Sequence, residues 1–444
     1  MNIFKNPLVW TIIIFIAAGA FRLTSLDLIE FKLDEARDVY EMERFYSEPY
    51  FIQRGTIQST GVYNPPLWYY ILAVLSLPSR NPQYLSFMIA LINCLAVVGF
   101  YLVVKKFYGQ FVGITAGLLL AFSPWMIVFS RKIWAPDLLM VLLVPLFYFL
   151  HKIHLEGARA HLRGVGWFWV VLLLSLLAQL HVSGLFLAAA IVITVLARRV
   201  KINWKAALLG LSLSLIPLLP YIAYQFQTSC EDCQAYLTYQ SGEALGALPF
   251  FDSNSFLRPF QFINGSGFQN ALGEEGYRDF LDKYPFINIL NLIFLLEFGL
   301  FILGVIFLCS PVSPRGSQSP PPRWLLILIF VVPLLVFITR TPGHLYYFLI
   351  VSPISILVYA LSLAHLRKLL HLEGVRAHLP GVITLAVIIV INIIFNFSFY
   401  KFLGEEKIIP GDYGAIYSIT KEMAEEKNMR IGEYVISLYN NFME

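Results

Sequence analysis

The charged stretch at residues 33–44 reads Leu33-Asp34-Glu35-Ala36-Arg37-Asp38-Val39-Tyr40-Glu41-Met42-Glu43-Arg44 and begins just beyond an apolar run over 8–26. The rest of the chain is strongly apolar: of its 444 residues, 58% are hydrophobic and only 14% are charged, and the mean hydropathy is +0.69. This composition excludes an ordinary soluble domain. Charge is expensive beside hydrocarbon, so ionisable residues gathered next to a membrane-crossing run are candidates for function.

The apolar runs determine the fold class. A helix needs about 20 apolar residues to cross the hydrocarbon core, and the hydropathy predicts about eleven such helices. They lie near 8–26, 84–104, 111–130, 136–152, 165–181, 183–198, 205–224, 286–309, 324–340, 345–365 and 382–400. The sequence therefore predicts an all-α polytopic membrane protein.

The placement of basic residues predicts the orientation. Lysine and arginine collect in the short cytoplasmic loops of membrane proteins. When the first residues are placed inside, every inner loop is basic. The outer side then receives 27–83, 131–135, 225–285, 341–344 and the tail after 400. This orientation predicts a cytoplasmic N-terminus and places the charged stretch 33–44 on the outer face.

The first outer loop, 27–83, contains a second apolar segment at 65–78. Its length of about 14 residues is too short for a span and favours an interfacial or re-entrant helix. Its Trp and Tyr residues suit the depth of the lipid headgroups. We therefore expect two juxtamembrane helices in this loop, at 33–47 and 66–77.

Two further patterns carry less chemistry. Cys230 and Cys233 form a C-x-x-C motif in the outer loop 225–285. The motif is equally consistent with a disulfide and with two free thiols, and less consistent with a metal site. The segment 154–164 recurs at 371–381 with nine of eleven positions identical. Both copies fall in predicted cytoplasmic loops, so we interpret them as inserted basic linkers.

Four motifs on the predicted outer face resemble a known family. They are Asp34-Glu35-Ala36-Arg37, the Tyr-x-Pro-Pro-Leu-x-Tyr-Tyr pattern at 63–70, the Ser-Arg-x(4)-Pro-Asp pattern at 130–137, and 343–348. Their order is similar to that of the GT-C glycosyltransferases, and within them to the protein O-mannosyltransferase and lipid A aminoarabinose transferase group, the glycosyltransferase family 39-like enzymes. The resemblance implies a GT-C-like catalytic bundle over 1–400, followed by a small outer tail at 401–444.

The resemblance also implies an activity. Such an enzyme transfers a sugar from a polyprenyl-phosphate-linked donor to a hydroxyl of a glycolipid, glycan or protein on the outer side, with no role for nucleic acid. Asp34 matches the acidic catalytic residue of the family. A carboxylate beside a hydroxyl can take its proton as the oxygen attacks the anomeric carbon. A chain without an added lumenal domain further suggests a compact prokaryotic relative in the plasma (inner) membrane.

Other residues have supporting roles in this hypothesis. The leaving phosphate needs cationic donors, and the remaining side chains would contact the acceptor, a metal ion or lipid. The donor-phosphate candidates are Arg131, Lys132 and Arg340; the acceptor-side or metal-side candidates are Glu35, Asp137 and His344; and the lipid-facing aromatics are Trp68, Tyr69 and Tyr70. Where the aminoarabinose transferases have Glu-Lys, this chain has Tyr63-Asn64. The sequence therefore does not decide whether the enzyme needs a divalent metal ion.

Alternatives stand beside each assignment. Asp34 and Glu35 can also be the acidic first turn of a solvated helix, and Asp137 can be a helix cap. His181 and Ser183 suit a structural turn. A transporter or flippase for a lipid-linked sugar would also be polytopic, but transporters place ionisable sites near the bilayer midplane, where this chain has few.

Overall fold

The computed structural model describes residues 6–48, 50–58, 61–155, 160–241, 251–309, 323–341, 343–369 and 379–443. Residues 156–159 of the first repeat copy, residues 371–378 of the second and the proline-rich segment 310–322 lie outside these residues. The helices are α1 (Pro7–Arg22), α2 (Leu33–Ser47), α3 (Leu67–Leu75), α4 (Pro82–Tyr108), α5 (Gln110–Phe122), α6 (Pro124–Val128), α7 (Leu139–Leu155), α8 (Ala160–Leu180), α9 (Ser183–Ala197), α10 (Trp204–Leu215), α11 (Leu219–Gln227), α12 (Glu231–Ser241), α13 (Gln269–Lys283), α14 (Ile287–Cys309), α15 (Trp324–Ile338), α16 (Ser352–Leu369), α17 (Leu379–Glu406), α18 (Tyr417–Glu426) and α19 (Ile431–Met443).

The predicted all-α membrane fold is confirmed. Within the described residues, six helical stretches are long and apolar enough to cross a membrane: Pro82–Tyr108, Ala135–His154, Trp204–Gln227, Ile287–Cys309, Leu345–Leu366 and Pro380–Glu406. Five shorter apolar helices, at Pro7–Arg22, Gln110–Phe122, Val165–Leu180, Ser183–Ala197 and Trp324–Ile338, coincide with the other predicted runs. The number of eleven spans stays a prediction, because these five are shorter than a full crossing.

Burial separates the centre of the bundle from its periphery. The stretch Leu345–Leu366 is 94% buried, whereas Trp204–Gln227 and Ile287–Cys309 are only 22% and 33% buried. The exposed part of these peripheral helices is almost entirely apolar, which suits contact with hydrocarbon. The helix α16 is therefore the central element against which the others pack.

Local sequence explains where the key helices begin and end. At the start of α2, the backbone N–H of Lys32 donates to Glu35 Oε2 at 3.1 Å, as in one half of a capping box. Helix α4 begins at Asn81, whose side chain accepts from the Gln83 N–H at 2.8 Å, and it ends at Gly109, where φ is 90°. Helix α3 follows Pro66 and is only nine residues long, too short to span.

The loops that the sequence assigns to one side of the membrane do meet at one face of the bundle, which we call the α2 face. The Tyr63 N–H donates to Asp232 Oδ1 at 3.1 Å, and Arg258 Nε donates to the Gly343 carbonyl at 2.8 Å. Cys230 and Cys233 are joined by a disulfide at this face.

The C-terminal residues pack onto the first loop. Helix α17 continues to Glu406, across the predicted boundary at residue 400. Two short strands, Ile408–Ile409 and Gly414–Ala415, pair antiparallel. Beyond them, Ile416 forms a β-bridge with Glu30, and α19 lies against α2. The tail therefore helps to hold α2 in place.

Candidate active site

Helix α2 has two faces of different character. Its buried face carries Glu35 and Asp38, both with 0% exposure, together with Ala36, Val39 and Met42. Its other face carries Asp34, Arg37, Glu41 and Arg44, which are spaced three or four residues apart and so form one stripe along the helix. All four line cavities at the α2 face.

Asp34 and Arg37 line the same cavity, which we call the Asp34 cavity. Its volume is about 290 Å³. The other lining residues are Thr56, Ile57, Gln58, Asn64, Trp134, Ala135, Pro136, His181, Tyr346 and Tyr347. Within the described parts of the chain, neither the Asp34 carboxylate nor the Arg37 guanidinium has a hydrogen-bond or ion-pair partner. A free carboxylate and a free guanidinium therefore stand one helical turn apart on a cavity wall.

One wall of the Asp34 cavity is a cluster of rings. The ring centroids of Trp134 and Tyr346 are 5.0 Å apart, and those of His181 and Tyr347 are also 5.0 Å apart. His181 Nδ1 is 2.8 Å from Ser183 Oγ. Burial lowers the pKa of His181 to about 3, so this imidazole is neutral at physiological pH. The predicted turn at 181–183 is present, and the same turn also supplies a cavity residue.

Another part of the lining comes from residues 56–58 and Asn64. Asn64 Nδ2 donates to Thr56 Oγ1 at 3.1 Å, and Gln58 Nε2 donates to Asn64 Oδ1 at 2.7 Å. A side chain at Gly55 would place its Cβ only 2.6 Å from the Pro65 carbonyl oxygen, so glycine is required there. These residues thus bring amide groups, which can bind sugar hydroxyls, to the cavity.

Lys132 lies behind α2 in a buried group of charges. Its Nζ is 2.5 Å from Glu30 Oε2 and 3.3 Å from Glu35 Oε1, and Lys32 also pairs with Glu30. Burial alone would raise the pKa of Glu30, but the two ammonium groups hold it below its ordinary value. Burial raises the pKa of Glu35 despite Lys132, and the two carboxylates raise the pKa of Lys132 against its own burial. These contacts fix the first turn of α2.

Asp137 lies beside this group. Its side chain is fully buried, and Oδ2 accepts from the Lys132 backbone N–H at 2.8 Å. Its carbonyl accepts from Asn93 Nδ2 at 2.8 Å. Asp137 therefore closes the loop 132–137, whose residues Trp134, Ala135 and Pro136 reach the cavity while Asp137 itself is not part of the lining.

Arg131 is bound within the protein. Its guanidinium donates to the carbonyls of Phe21 at 2.8 Å and Thr24 at 3.0 Å, and also to the Tyr400 hydroxyl. The side chain is 4% exposed and does not line the Asp34 cavity. These bonds tie the end of α1 to α17.

Neither Arg340 nor His344 lines the Asp34 cavity. Arg340 is exposed, and its guanidinium lies over the Phe251 ring at 4.8 Å. His344 is exposed and stacks on Tyr346, with ring centroids 5.3 Å apart. Tyr346 lines the cavity, so His344 is one ring away from it and Arg340 is not brought to it.

The aromatic residues of α3 point inward. Trp68 is 1% exposed and its Nε1 donates to Asp38 Oδ2 at 2.6 Å. Tyr69 is 7% exposed, and the Tyr70 hydroxyl donates to the Ile52 carbonyl at 2.6 Å. The polar tips of Trp68 and Tyr70 therefore have partners inside the protein, and contact of Trp68, Tyr69 and Tyr70 with lipid stays a prediction.

A second and larger cavity, which we call the arginine–tyrosine cavity, adjoins the first. Its volume is about 680 Å³, and it shares Arg37, Thr56 and Ile57 with the Asp34 cavity. The rest of its lining is Tyr40, Glu41, Arg44, Tyr50, Phe51, Ile52, Gln53, Arg54, Gly55, Tyr63, Tyr69, Tyr224 and Ile436.

The residues that hold a metal ion in proteins do not gather in either cavity. Over the described ranges, no three His, Cys, Asp or Glu side chains approach one another as a metal-binding group. Asp34 is the one carboxylate among the residues that line its cavity, and a single carboxylate is a small share of the usual ligand set.

Arg37 and Asn64, which lie within the motifs at 34–37 and 63–70, line the Asp34 cavity without having been predicted as site residues. The helical spacing could have pointed to Arg37, because residues three apart on a helix share a face and Asp34 was a candidate catalytic residue. No sequence pattern pointed to Arg54 or Tyr224, since these residues come from distant parts of the chain and meet only in the folded protein.

The fold of this chain is similar to that of several solved structures, although its sequence matches no known family. No protein-family model and no curated protein sequence matches the chain. Among solved structures, ArnT from Cupriavidus metallidurans in the apo state is similar with a TM-score of 0.57 and 13% identity, over 89% of this chain and 75% of ArnT. ArnT bound to undecaprenyl phosphate gives a TM-score of 0.53 and 14% identity, over 96% of this chain and 77% of that one.

The archaeal oligosaccharyltransferase AglB from Archaeoglobus fulgidus, in complex with an inhibitory peptide and a dolichol-phosphate, gives a TM-score of 0.54 and 15% identity. The match covers 99% of this chain and 60% of AglB, so the chain spans somewhat more than half the length of that protein. ArnT and AglB are GT-C superfamily members. The expected architecture is confirmed: this chain has the GT-C fold.

Proposed function

We propose that this protein is a membrane glycosyltransferase that moves a sugar from a polyprenyl-phosphate-linked donor to an acceptor hydroxyl, with Asp34 as the general base. The observation that carries the proposal is the pair of free charges on one turn of α2, Asp34 and Arg37, on the wall of the Asp34 cavity. A carboxylate and a guanidinium without protein partners among the described residues stand on one cavity wall, so both are available to a ligand.

The chemistry requires two groups of opposite charge. The Asp34 carboxylate takes the proton of the acceptor hydroxyl while that oxygen bonds to the anomeric carbon. The bond from the anomeric carbon to the phosphate oxygen breaks, and its electron pair leaves with the polyprenyl phosphate. Arg37 donates N–H groups to the phosphate oxygens, whose negative charge grows in the transition state.

The surrounding residues suit a sugar. The amides of Asn64 and Gln58 offer donors and acceptors for hydroxyl groups, and the rings of Trp134 and Tyr346 offer apolar faces. A cavity of about 290 Å³ is at the lower limit for a small-molecule site, which fits one sugar ring with its phosphate.

The donor class is supported by the fold neighbours. ArnT was crystallised with undecaprenyl phosphate and AglB with a dolichol-phosphate. Both ligands are polyprenyl phosphates. We infer the same class of carrier for this chain, and an acceptor that is a glycolipid, a glycan or a protein.

The supporting residues divide by position. Lys132 and Glu35 hold α2, Asp137 holds the loop 132–137, and Arg131 holds α1 against α17, so in the proposal these residues position the site. His344 stacks on Tyr346 of the ring cluster, and its proposed role is to support the acceptor side of the Asp34 cavity through that ring. A divalent ion would have Asp34 as its protein ligand in this cavity; since the ligand set is so small, we derive no step through a metal.

The proposed orientation places the N-terminus in the cytoplasm and the α2 face outside, in the plasma membrane of a prokaryote. It is supported by the basic inner loops around 105–106, 198–205 and 367–368. A transporter of a lipid-linked sugar is the alternative. The feature in its favour is Glu297, a 2% exposed carboxylate within α14 that accepts from Asn264 Nδ2 at 2.6 Å.

The test is genetic complementation with a glycan readout. Mass spectrometry of glycolipids and glycoproteins from a strain without this gene should reveal a missing sugar. Wild-type protein and Asp27→Asn, a matched change of an exposed aspartate outside the cavity, should restore it. Asp34→Asn should not, because the amide keeps the shape but cannot take a proton. Full restoration by Asp34→Asn would refute the base assignment, and an unaltered glycome with a changed distribution of carrier lipid would favour transport.

A further inference from the structure

The arginine–tyrosine cavity has a net positive lining. Three arginines, Arg37, Arg44 and Arg54, face one carboxylate, Glu41. Arg44 Nη1 is 3.8 Å from Glu41 Oε1, and Arg54 Nη1 is 3.8 Å from Glu231 Oε2. Both distances exceed hydrogen-bond length, so these carboxylates neutralise the arginines only partly and leave N–H donors available.

Tyrosine rings hold two of these arginines flat. The Arg54 guanidinium lies 4.1 Å from the Tyr63 ring centroid and 5.1 Å from that of Tyr224. The Arg44 guanidinium lies 4.8 Å from the Tyr50 centroid. Stacking uses the flat face of a guanidinium. Arg54 Nη1 donates to the Tyr224 hydroxyl at 2.6 Å, and the other N–H groups at the edges of the two guanidinium groups can bind an anion.

The tyrosines themselves suit a ring-shaped ligand. Tyr40, Tyr50, Tyr63, Tyr69 and Tyr224 all border the cavity. A tyrosine combines an apolar face, which can pack on the C–H face of a sugar, with a hydroxyl that can hydrogen-bond. The volume of about 680 Å³ lies within the range of small-molecule sites and is more than twice that of the Asp34 cavity.

A polyprenyl chain fits this lining poorly. Its hydrocarbon would remove water from three guanidinium groups without offering them any hydrogen-bond acceptor, and burial of charge in that way is costly. Only a few lining residues, among them Ile52, Ile57 and Ile436, are aliphatic.

The two cavities adjoin each other. Arg37, Thr56 and Ile57 belong to both. A ligand in the larger cavity can therefore extend a hydroxyl past Arg37 towards Asp34. We propose that the arginine–tyrosine cavity is the acceptor subsite and that the acceptor is an anionic glycan, one that carries a carboxylate or a phosphate near the hydroxyl that receives the sugar. This inference rests on the proposed function and adds the acceptor class to it.

The test measures binding, which does not require transfer. Purified full-length protein in nanodiscs is titrated with matched pairs of probes, 3′-sialyllactose against lactose and glucose 6-phosphate against glucose, and followed by saturation-transfer NMR. At least one anionic member should bind about tenfold more tightly than its neutral partner. The double variant Arg44→Gln/Arg54→Gln should lose this preference while the affinity for undecaprenyl phosphate stays unchanged.

The controls separate this proposal from the proposed function. Arg80 lies over the Tyr46 ring at 4.2 Å and lines neither cavity, so Arg80→Gln should behave as wild type. Asp34→Asn should keep anion binding even though it abolishes transfer. Equal binding of anionic and neutral probes, or no binding of any anionic probe, would overturn the inference. A double variant that lost undecaprenyl phosphate would overturn it too, because the cavity would then belong to the donor.

Discussion

Lys132 and Glu35 form an ion pair of 3.3 Å that joins the loop before α7 to the first turn of α2. The pair is almost fully buried, with 11% of the Lys132 side chain and 1% of the Glu35 side chain exposed. Asp34, the proposed base, precedes Glu35 in the same turn. The position of the base therefore depends on a contact between residues almost a hundred positions apart.

Removal of this ammonium group should destabilise the fold. Lys132→Met keeps an unbranched apolar side chain but leaves Glu30 with Lys32 alone and Glu35 with no cation in contact. Breaking a buried pair in this way costs about 3–5 kcal/mol. Thermal unfolding in detergent should show a lower midpoint, and Glu35→Gln in the same chain should recover part of the loss. Lys421→Met, which removes an exposed pair with Glu425, is the control and should change little. Equal midpoints for the two lysine variants would argue against the role of Lys132.

Asp38 should make stability depend on pH. Burial raises the pKa of Asp38 well above its ordinary value, and the hydrogen bond from Trp68 opposes the rise only in part. The folded state thus binds a proton that the unfolded state releases. The stabilisation from this group is complete below the ordinary pKa of about 3.9 and is lost as the pH rises through the folded pKa.

Asp38→Asn should remove that dependence, since the amide oxygen can still accept from Trp68 Nε1. The unfolding midpoints of wild type and variant, measured from about pH 5 to about pH 9, should diverge as the pH rises, with the variant more stable at the alkaline end. Trp68→Phe should be less stable than wild type, because it leaves the Asp38 oxygen without its donor. Parallel curves for wild type and Asp38→Asn would contradict a protonated Asp38.

Gly432 allows α19 to lie close against α2. A Cβ at this position would be 2.9 Å from the Ala36 carbonyl oxygen and 3.3 Å from the Tyr40 Cβ. Gly432→Ala should therefore push the two helices apart, at a cost of about 1–3 kcal/mol, and should lower transfer because Ala36 and Tyr40 flank Arg37. Gly404→Ala is the matched control, since its Cβ would meet Leu28 at an ordinary 3.9 Å. A Gly432→Ala protein as stable and active as Gly404→Ala would show that this contact is dispensable.

The apolar helices and the charged segment that contains Asp34 could be predicted from the sequence, but many of the side-chain partners could not. Apolar runs report directly on helices in a membrane, and the charged stretch 33–44 stands out against them. Arg131 and Lys132 are adjacent in sequence and both basic, yet one binds backbone carbonyls of α1 and the other binds carboxylates of the α2 segment. That difference depends on the direction in which each side chain points. A periodic sequence pattern does not predict this direction for residues in a loop.

Several cavity residues could not be predicted either, because they come together only through long-range contacts. Arg54 and Tyr224 are 170 residues apart and meet through a 2.6 Å hydrogen bond, from Arg54 Nη1 to the Tyr224 hydroxyl. Arg37 was visible as a neighbour of Asp34, but the many arginines of the chain gave no reason to choose it over Arg131 or Arg340. Only the structure distinguishes Arg131, which has partners, from Arg37, which has no hydrogen-bond or ion-pair partner among the described residues.

Arg37 and Arg131 offer a direct test of the donor-phosphate site. Arg37→Gln should reduce transfer by about 10²–10³-fold, the usual cost of losing one donor to transition-state charge, while the unfolding midpoint stays near that of wild type, because Arg37 has no partner in the described parts of the chain. Arg131→Gln should lower the unfolding midpoint, since its guanidinium bonds join α1 to α17. Complementation of the deletion strain measures transfer, and thermal unfolding of the same purified variants measures stability. The opposite pattern, with Arg37→Gln fully active and Arg131→Gln stable but unable to bind undecaprenyl phosphate, would return the phosphate site to Arg131.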